Sequence, residues 1–172
     1  MSGGSRSKMP IALVVGTDHA FQRHQDRSEE NEAIRNAFEV FLRAAIQARV
    51  VDAIAEEAGD DREVWEHLRA QDAVISEEWR GLFAGIEIVG GPQPPIARSL
   101  AAAGDIAYRD VRAVGGETMT IEERDEAMAR ATAEHFRGAE SLLVIVGDDH
   151  REEVARILGE KYGWKTESKR FP

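Results

Sequence analysis

Two short motifs in this sequence carry side chains that could do chemistry. Each has five apolar residues followed by glycine, a variable residue, aspartate and histidine: residues 11–19 read IALVVGTDH and residues 142–150 read LLVIVGDDH. Imidazoles and carboxylates brought together can bind a divalent metal ion or act as general acids and bases. The repeated motif therefore makes Asp18, His19, Asp149 and His150 candidate site residues.

The apolar half of each motif predicts where its polar half lies. A continuous apolar run is typical of a strand buried on both faces in a parallel sheet, and the glycine after it permits a sharp exit. Open α/β sheets bind ligands where the carboxyl ends of their strands meet. We expect Glu56 and Glu57, which follow a further predicted strand, at the same edge. Consecutive strand residues point to opposite sides, so one of the two should face the cleft and the other solvent or a helix.

The chemistry that these residues favour is metal-dependent hydrolysis. His19 and His150 are the predicted metal ligands, together with Asp18 or one of the two glutamates. The remaining carboxylates, Asp149 among them, would orient an imidazole or act as a general base. The chain has no cysteine, which excludes thiolate ligands, and imidazole with carboxylate ligands favours Mn, Zn or Co.

Arg124 is a candidate for stabilising a developing oxyanion. On a helix beginning at Ile121 it shares a face with Met128, Ala131 and His135 by helical spacing. Its side chain either extends past the helix end into solvent or points into a pocket and pairs with carboxylates of the sheet edge. Because this helix leads into the strand of the second motif, its amino end should lie beside the carboxyl ends of the strands.

The order of these motifs resembles that of the TraB/TIKI proteins and of their erythromycin esterase and ChaN relatives. The matching segments are residues 16–19, Glu56 or Glu57, the Glu-Arg-Asp-x-x-Met segment from Glu123, and residues 147–150. The resemblance implies a mixed α/β domain with a polar site at one sheet edge. Members of this group include metal-dependent peptidases, an esterase and a haem-binding protein, so the resemblance implies no single chemistry. The chain departs from the pattern at Asp125, where asparagine is common.

Other functions remain open at this point. A non-catalytic protein could bind a small ligand or haem in the same cleft, with a histidine as the axial ligand. The two motifs could also be similar strand exits without a function, or the protein could be regulatory. A nucleotide-binding site is disfavoured, since neither motif has the glycine pattern of a phosphate-binding loop.

Apolar periodicity predicts the elements that must position these residues. Strands are expected over 11–15, 50–55, 105–111, 142–146 and 164–169, and a brief strand or an extended segment over 86–89. Helices are expected over 28–48, within 61–84, over 96–103, over 121–136 and after residue 150. The alternation predicts an α/β fold with an open, mainly parallel sheet of four to five strands and helices on both faces. We expect a flexible segment over 1–10 and a single domain over 11–172.

The composition of the chain disfavours some kinds of binding partner. The 172 residues include 22 Lys and Arg against 32 Asp and Glu, and the net charge of −10 disfavours nucleic acid and anionic membranes. The first ten residues contain no apolar export segment, and no apolar run is long enough to span a bilayer. We therefore expect a cytoplasmic protein acting on a small molecule or a peptide.

Overall fold

The computed structural model describes residues 9–18, 22, 29–58, 94–113 and 118–171, with the side chains of 29–31 excepted. Five strands are seen: β1 (Ile11–Thr17), β2 (Ala53–Glu56), β3 (Ala107–Asp110), β4 (Ser141–Gly147) and β5 (Lys165–Arg170). Four helices are seen in the same part of the chain: α1 (Glu29–Gln47), α2 (Ile96–Gly104), α3 (Ile121–His135) and α4 (Arg151–Tyr162). The helices expected within 61–84 and the brief strand or extended segment expected over 86–89 lie outside the described residues.

The strands form one five-stranded sheet in the order β3-β2-β4-β1-β5. Every neighbouring pair is parallel, which confirms the α/β fold and the parallel sheet predicted from the sequence. The two apolar runs pair directly, with Leu13 opposite Leu143. β2 begins at Ala53 rather than at residue 50, because the backbone N–H of Val50 still donates to the carbonyl of Ala45 in α1.

Among the described residues, two helices cover each face of the sheet. α1 and α2 pack on the first face, where the core includes Phe38, Leu42 and Ile54. α3 and α4 pack on the second face, where it includes Met128, Val144 and Leu158. Strand residues therefore alternate between two separate apolar cores, as expected for a sheet buried on both sides.

The centre of the carboxyl edge lies at the end of β4. β1 and β2 flank β4. The helix α1, which follows β1, lies on the first face, whereas α4 follows β4 on the second face. A change of face between neighbouring strands opens a crevice at their carboxyl ends, which is the usual ligand site of an open α/β sheet. The second histidine motif occupies this position. Among the described residues, no helix is long and apolar enough to cross a membrane.

Candidate functional site

His150 is the centre of a buried polar cluster at this crevice. It ends a short 3₁₀ turn, Asp148–His150, that joins β4 directly to α4. Only 6% of the residue is exposed. Its Nδ1 atom lies 2.5 Å from Oδ1 of Asp125, and its Nε2 atom lies 3.9 Å from Oε1 of Glu57. One imidazole thus faces a carboxylate on each side.

Asp125 comes from α3, on the second face of the sheet. A capping box fixes the start of this helix: the Thr120 hydroxyl accepts the backbone N–H of Glu123, whose carboxylate accepts the backbone N–H of Thr120. Asp125 lies one turn inside this end and is 2% exposed. Burial raises the pKa of the Asp125 carboxyl above its ordinary value, and the contact with His150 partly opposes this.

The helical face that the sequence assigned to Arg124 begins in fact at Asp125. The buried residues of α3 are Asp125, Met128, Ala129, Thr132 and Ala133. Met128 is buried as expected, but Ala131 is half-buried and His135 is exposed, so the predicted stripe was wrong by one position. Arg124 is half-buried, and its Nε atom is buried without a hydrogen-bond partner.

Glu57 is the glutamate that faces His150. It follows β2 and belongs to the second face, like Ala53 and Ala55. Its backbone N–H donates to the carbonyl of Ile145 at 2.8 Å, and its Oε2 atom accepts the backbone N–H of Gly147 at 2.9 Å. These bonds to β4 orient the carboxylate, so that the other oxygen, Oε1, is the one near the imidazole.

Glu56 points to the first face, on which Ile54 and Tyr108 lie. It is fully buried, and its Oε2 atom accepts a 2.6 Å hydrogen bond from the Tyr108 hydroxyl. Burial, followed by the neighbouring Glu56 charge, raises the pKa of Tyr108. The two glutamates therefore diverge as strand alternation predicts. Glu56 points to the face that α1 and α2 cover, where the Tyr108 hydroxyl of β3 donates to it.

Two of the remaining predicted site residues are exposed, and one lies outside the described residues. Asp18 and Asp149 are both exposed. His19 lies outside the described residues, so the expected approach of the two histidines stays a prediction. Within the described ranges, no three His, Asp or Glu side chains are placed to hold a metal ion.

The two histidine motifs occupy staggered positions in the sheet. Gly16 of β1 pairs with Val146, and Gly147 pairs with Thr17. The glycine of the second motif therefore lies one residue nearer to the carboxyl edge of the sheet than the glycine of the first. The side chain of Asp148 lies over Gly16: a Cβ atom on Gly16 would lie 2.5 Å from Asp148 Oδ1 and 2.8 Å from Arg151 Cδ. Gly16 is therefore required because another segment crosses it closely.

Two residues that contact predicted site residues were not themselves predicted from the sequence: Asp125, beside His150, and Tyr108, beside Glu56. Asp125 had a signal, since it adjoins Arg124 in a motif already singled out and differs there from the usual asparagine. Tyr108 had none, because its partner Glu56 is 52 residues distant in the chain. Both contacts depend on the strand order of the finished sheet.

No protein-family model, curated protein or solved structure matches this chain. The resemblance to the TraB/TIKI proteins stays a prediction from the motifs.

Proposed function

We propose that this protein is a metal-dependent hydrolase whose active site is the His150 cluster at the carboxyl edge of the sheet. The observation that supports the proposal is the position of one buried imidazole between two buried carboxylates, with Nδ1 on Asp125 and Nε2 toward Glu57. Buried ionisable groups that converge at the ligand-binding edge of a sheet are candidates for catalysis.

The donor set suits a divalent metal ion in part. A histidine that binds a metal through one ring nitrogen usually has its other nitrogen bonded to a carboxylate, a backbone carbonyl or water, and Asp125 provides such a carboxylate for His150. Nε2 and Glu57 Oε1 are then the two atoms that would hold the metal. Their 3.9 Å separation is longer than a hydrogen bond, so the two atoms are not bonded to each other. His19 is the further ligand predicted from the sequence.

Each residue of the cluster has a role that its contacts support. When bound, the metal supplies a water molecule that ionises near neutral pH. Asp125 fixes the orientation of the imidazole, and the Gly147 N–H fixes that of Glu57. Arg124 precedes Asp125 on α3 and has a buried guanidinium donor without a partner, which suits it to stabilise a developing oxyanion. Ester and peptide bonds are the substrates that this arrangement favours.

Calorimetric titration with Mn²⁺, Zn²⁺ and Co²⁺ tests the metal site. We expect the wild type to bind one equivalent of at least one ion. His150→Ala should weaken binding at least about tenfold, because even supporting residues of metal sites contribute that factor. Asp149→Asn is the matched control, since Asp149 is exposed in the adjoining position. Equal affinity of wild type and His150→Ala would exclude His150 as a ligand.

A hydrolysis assay on the same proteins tests the activity. Chromogenic esters and fluorogenic peptides are offered with and without a chelator, and cleavage should require both the metal and His150. A haem titration followed by absorbance tests the main alternative, a non-catalytic ligand-binding protein. A haem band in the wild type that His150→Ala removes, without metal binding or cleavage, would replace the hydrolase by that alternative.

A further inference from the structure

Of the two consecutive aspartates in the second motif, Asp148 is the one whose carboxylate contacts arginine side chains. We infer that Asp148 is a positioning residue for His150: it anchors the turn that carries this histidine and thereby keeps the imidazole in place. The inference rests on the proposed function only in taking His150 as the acting group. Asp148 acts through Arg151 and Arg170, and these three residues are called the Asp148 clamp.

The clamp first closes the turn upon itself. The backbone N–H of Arg151 donates to the carbonyl of Asp148, and Nε of Arg151 donates to Oδ1 of Asp148 at 3.2 Å. His150 lies between the two residues joined in this way. A turn closed by both a backbone and a side-chain bond has few alternative conformations, so the direction in which the His150 side chain leaves the backbone is fixed.

The clamp then attaches the turn to the edge of the sheet. Nε of Arg170, at the end of β5, lies 3.3 Å from Oδ2 of Asp148, so both carboxylate oxygens face a guanidinium. Nη1 of Arg151 donates to the hydroxyl of Ser168, also on β5, at 3.1 Å. Charge-assisted hydrogen bonds are stronger than neutral ones and have defined geometry. The turn is thus connected to a strand distant from it in the sequence.

The backbone of β1 supports the clamp from below. A Cβ atom at Gly16 would lie 3.0 Å from the Cα atom of Asp148 as well as touching its carboxylate. The absence of a side chain at Gly16 therefore lets the backbone of Asp148 approach the backbone of β1 closely. With Asp125 from α3 and Glu57, which follows β2, on its other side, His150 is positioned by contacts from several parts of the fold.

Asp149 lacks these features. Its side chain is exposed, whereas Asp148 is half-buried and each of its oxygens faces an arginine. The two residues are adjacent and chemically identical, so they provide a matched pair for experiment.

The reactivity of His150 toward diethyl pyrocarbonate tests the inference without requiring any activity. This reagent acylates accessible imidazole nitrogens, and peptide mass spectrometry separates His150 from the other histidines. Asp148→Asn should raise the acylation rate of His150 by about tenfold, the factor that matches the loss of one charge-assisted hydrogen bond. Asp149→Asn should leave the rate unchanged. A wild-type rate in folded Asp148→Asn would overturn the inference.

Two further variants separate positioning from general stability. Arg170→Gln removes one ion pair of the Asp148 clamp, at a side chain that is 73% exposed. The variant should therefore fold, and the acylation rate of His150 should rise about two- to threefold. If Asp148→Asn does not fold, a wild-type rate in Arg170→Gln overturns the inference. Ser141→Ala removes the hydroxyl bond to Val50 at the opposite end of β4 and should lower stability without raising the rate. A metal titration that fails in every protein would count against the proposed function and leave these rates as they are.

Discussion

Glu56 and Glu57 are neighbours in the sequence and lie on opposite faces of the same sheet, each in a different buried cluster. Glu57 faces His150, and Glu56 accepts a hydrogen bond from the hydroxyl of Tyr108. Both side chains are at least nine-tenths buried. Burying two adjacent carboxylates is costly unless each is hydrogen-bonded, and the structure meets that requirement with a backbone N–H on one face and a phenol on the other.

The Tyr108 bond predicts a loss of stability at alkaline pH. Burial and the neighbouring Glu56 raise the pKa of Tyr108 in the folded chain, while in the unfolded chain a tyrosine ionises near about 10. Above that pH the unfolded chain has released a proton that the folded chain keeps, so the free energy of unfolding falls as pH rises. The slope from this group reaches at most about 1.4 kcal/mol per pH unit.

Urea unfolding of wild type and Tyr108→Phe at pH 8 and above pH 10 measures this effect. The other titrating groups are the same in both proteins, so the difference between them isolates Tyr108. We expect the wild type to lose more stability than the variant as the pH rises through 10. Parallel losses in the two proteins would show that the Tyr108 hydroxyl titrates alike in the folded and unfolded chains.

Gly16 predicts a steric effect with a control in the same chain. Gly16→Ala places a methyl group 2.5 Å from Oδ1 and 3.0 Å from the Cα atom of Asp148. The side chain of Asp148 and the backbone of the turn before α4 must both shift to admit it. We expect a loss of about 1–3 kcal/mol in the free energy of unfolding, as for other overpacked sites. Gly138→Ala meets no atom within 4 Å and should change stability by less than about 0.5 kcal/mol. Chemical denaturation compares the two, and equal effects would contradict the close approach.

Apolar patterning predicted the sheet because both central strands carry uninterrupted apolar runs. Residues 11–15 and 142–146 were expected as parallel strands, and they pair directly within Ile11–Thr17 and Ser141–Gly147. Strand alternation likewise predicted that Glu56 and Glu57 diverge. These features depend on local periodicity, which a single sequence displays.

The sequence did not predict the contacts of the site, because these contacts depend on the register between strands and on the rotation of each helix about its axis. A shift of one position on α3 exchanges Arg124 for Asp125 on the buried face. A stagger of one residue between β1 and β4 places Gly16 opposite Val146 instead of Gly147, although the motifs look equivalent. Neither shift changes the apolar pattern enough to be seen before the elements are packed together.

The capping box of α3 predicts a moderate loss of stability on removal of one hydroxyl. Thr120→Ala leaves the backbone N–H of Glu123 without its side-chain acceptor, and we expect a loss of about 1 kcal/mol in the free energy of unfolding. Thr120→Ser keeps an acceptor in the same place and should retain most of the stability. Thermal and urea unfolding of the three proteins decide this, and an equal loss in Thr120→Ser would indicate that the hydroxyl bond does not contribute.

The two adjacent glutamates also provide the sharpest test of the metal site. Glu57→Gln replaces a charged oxygen donor near Nε2 of His150 by a neutral amide, and metal affinity should fall at least about tenfold. Glu56→Gln removes the same charge one residue away on the opposite face, keeps an oxygen acceptor for Tyr108, and should leave the affinity within about twofold, since it changes no group near the imidazole. Calorimetric titration with Mn²⁺, Zn²⁺ and Co²⁺ compares them at one pH. Both variants lose one buried negative charge, so an equal fall in metal affinity would assign the effect to the net charge of the sheet edge rather than to coordination by Glu57. A metal affinity unchanged in both variants would exclude Glu57 as a ligand.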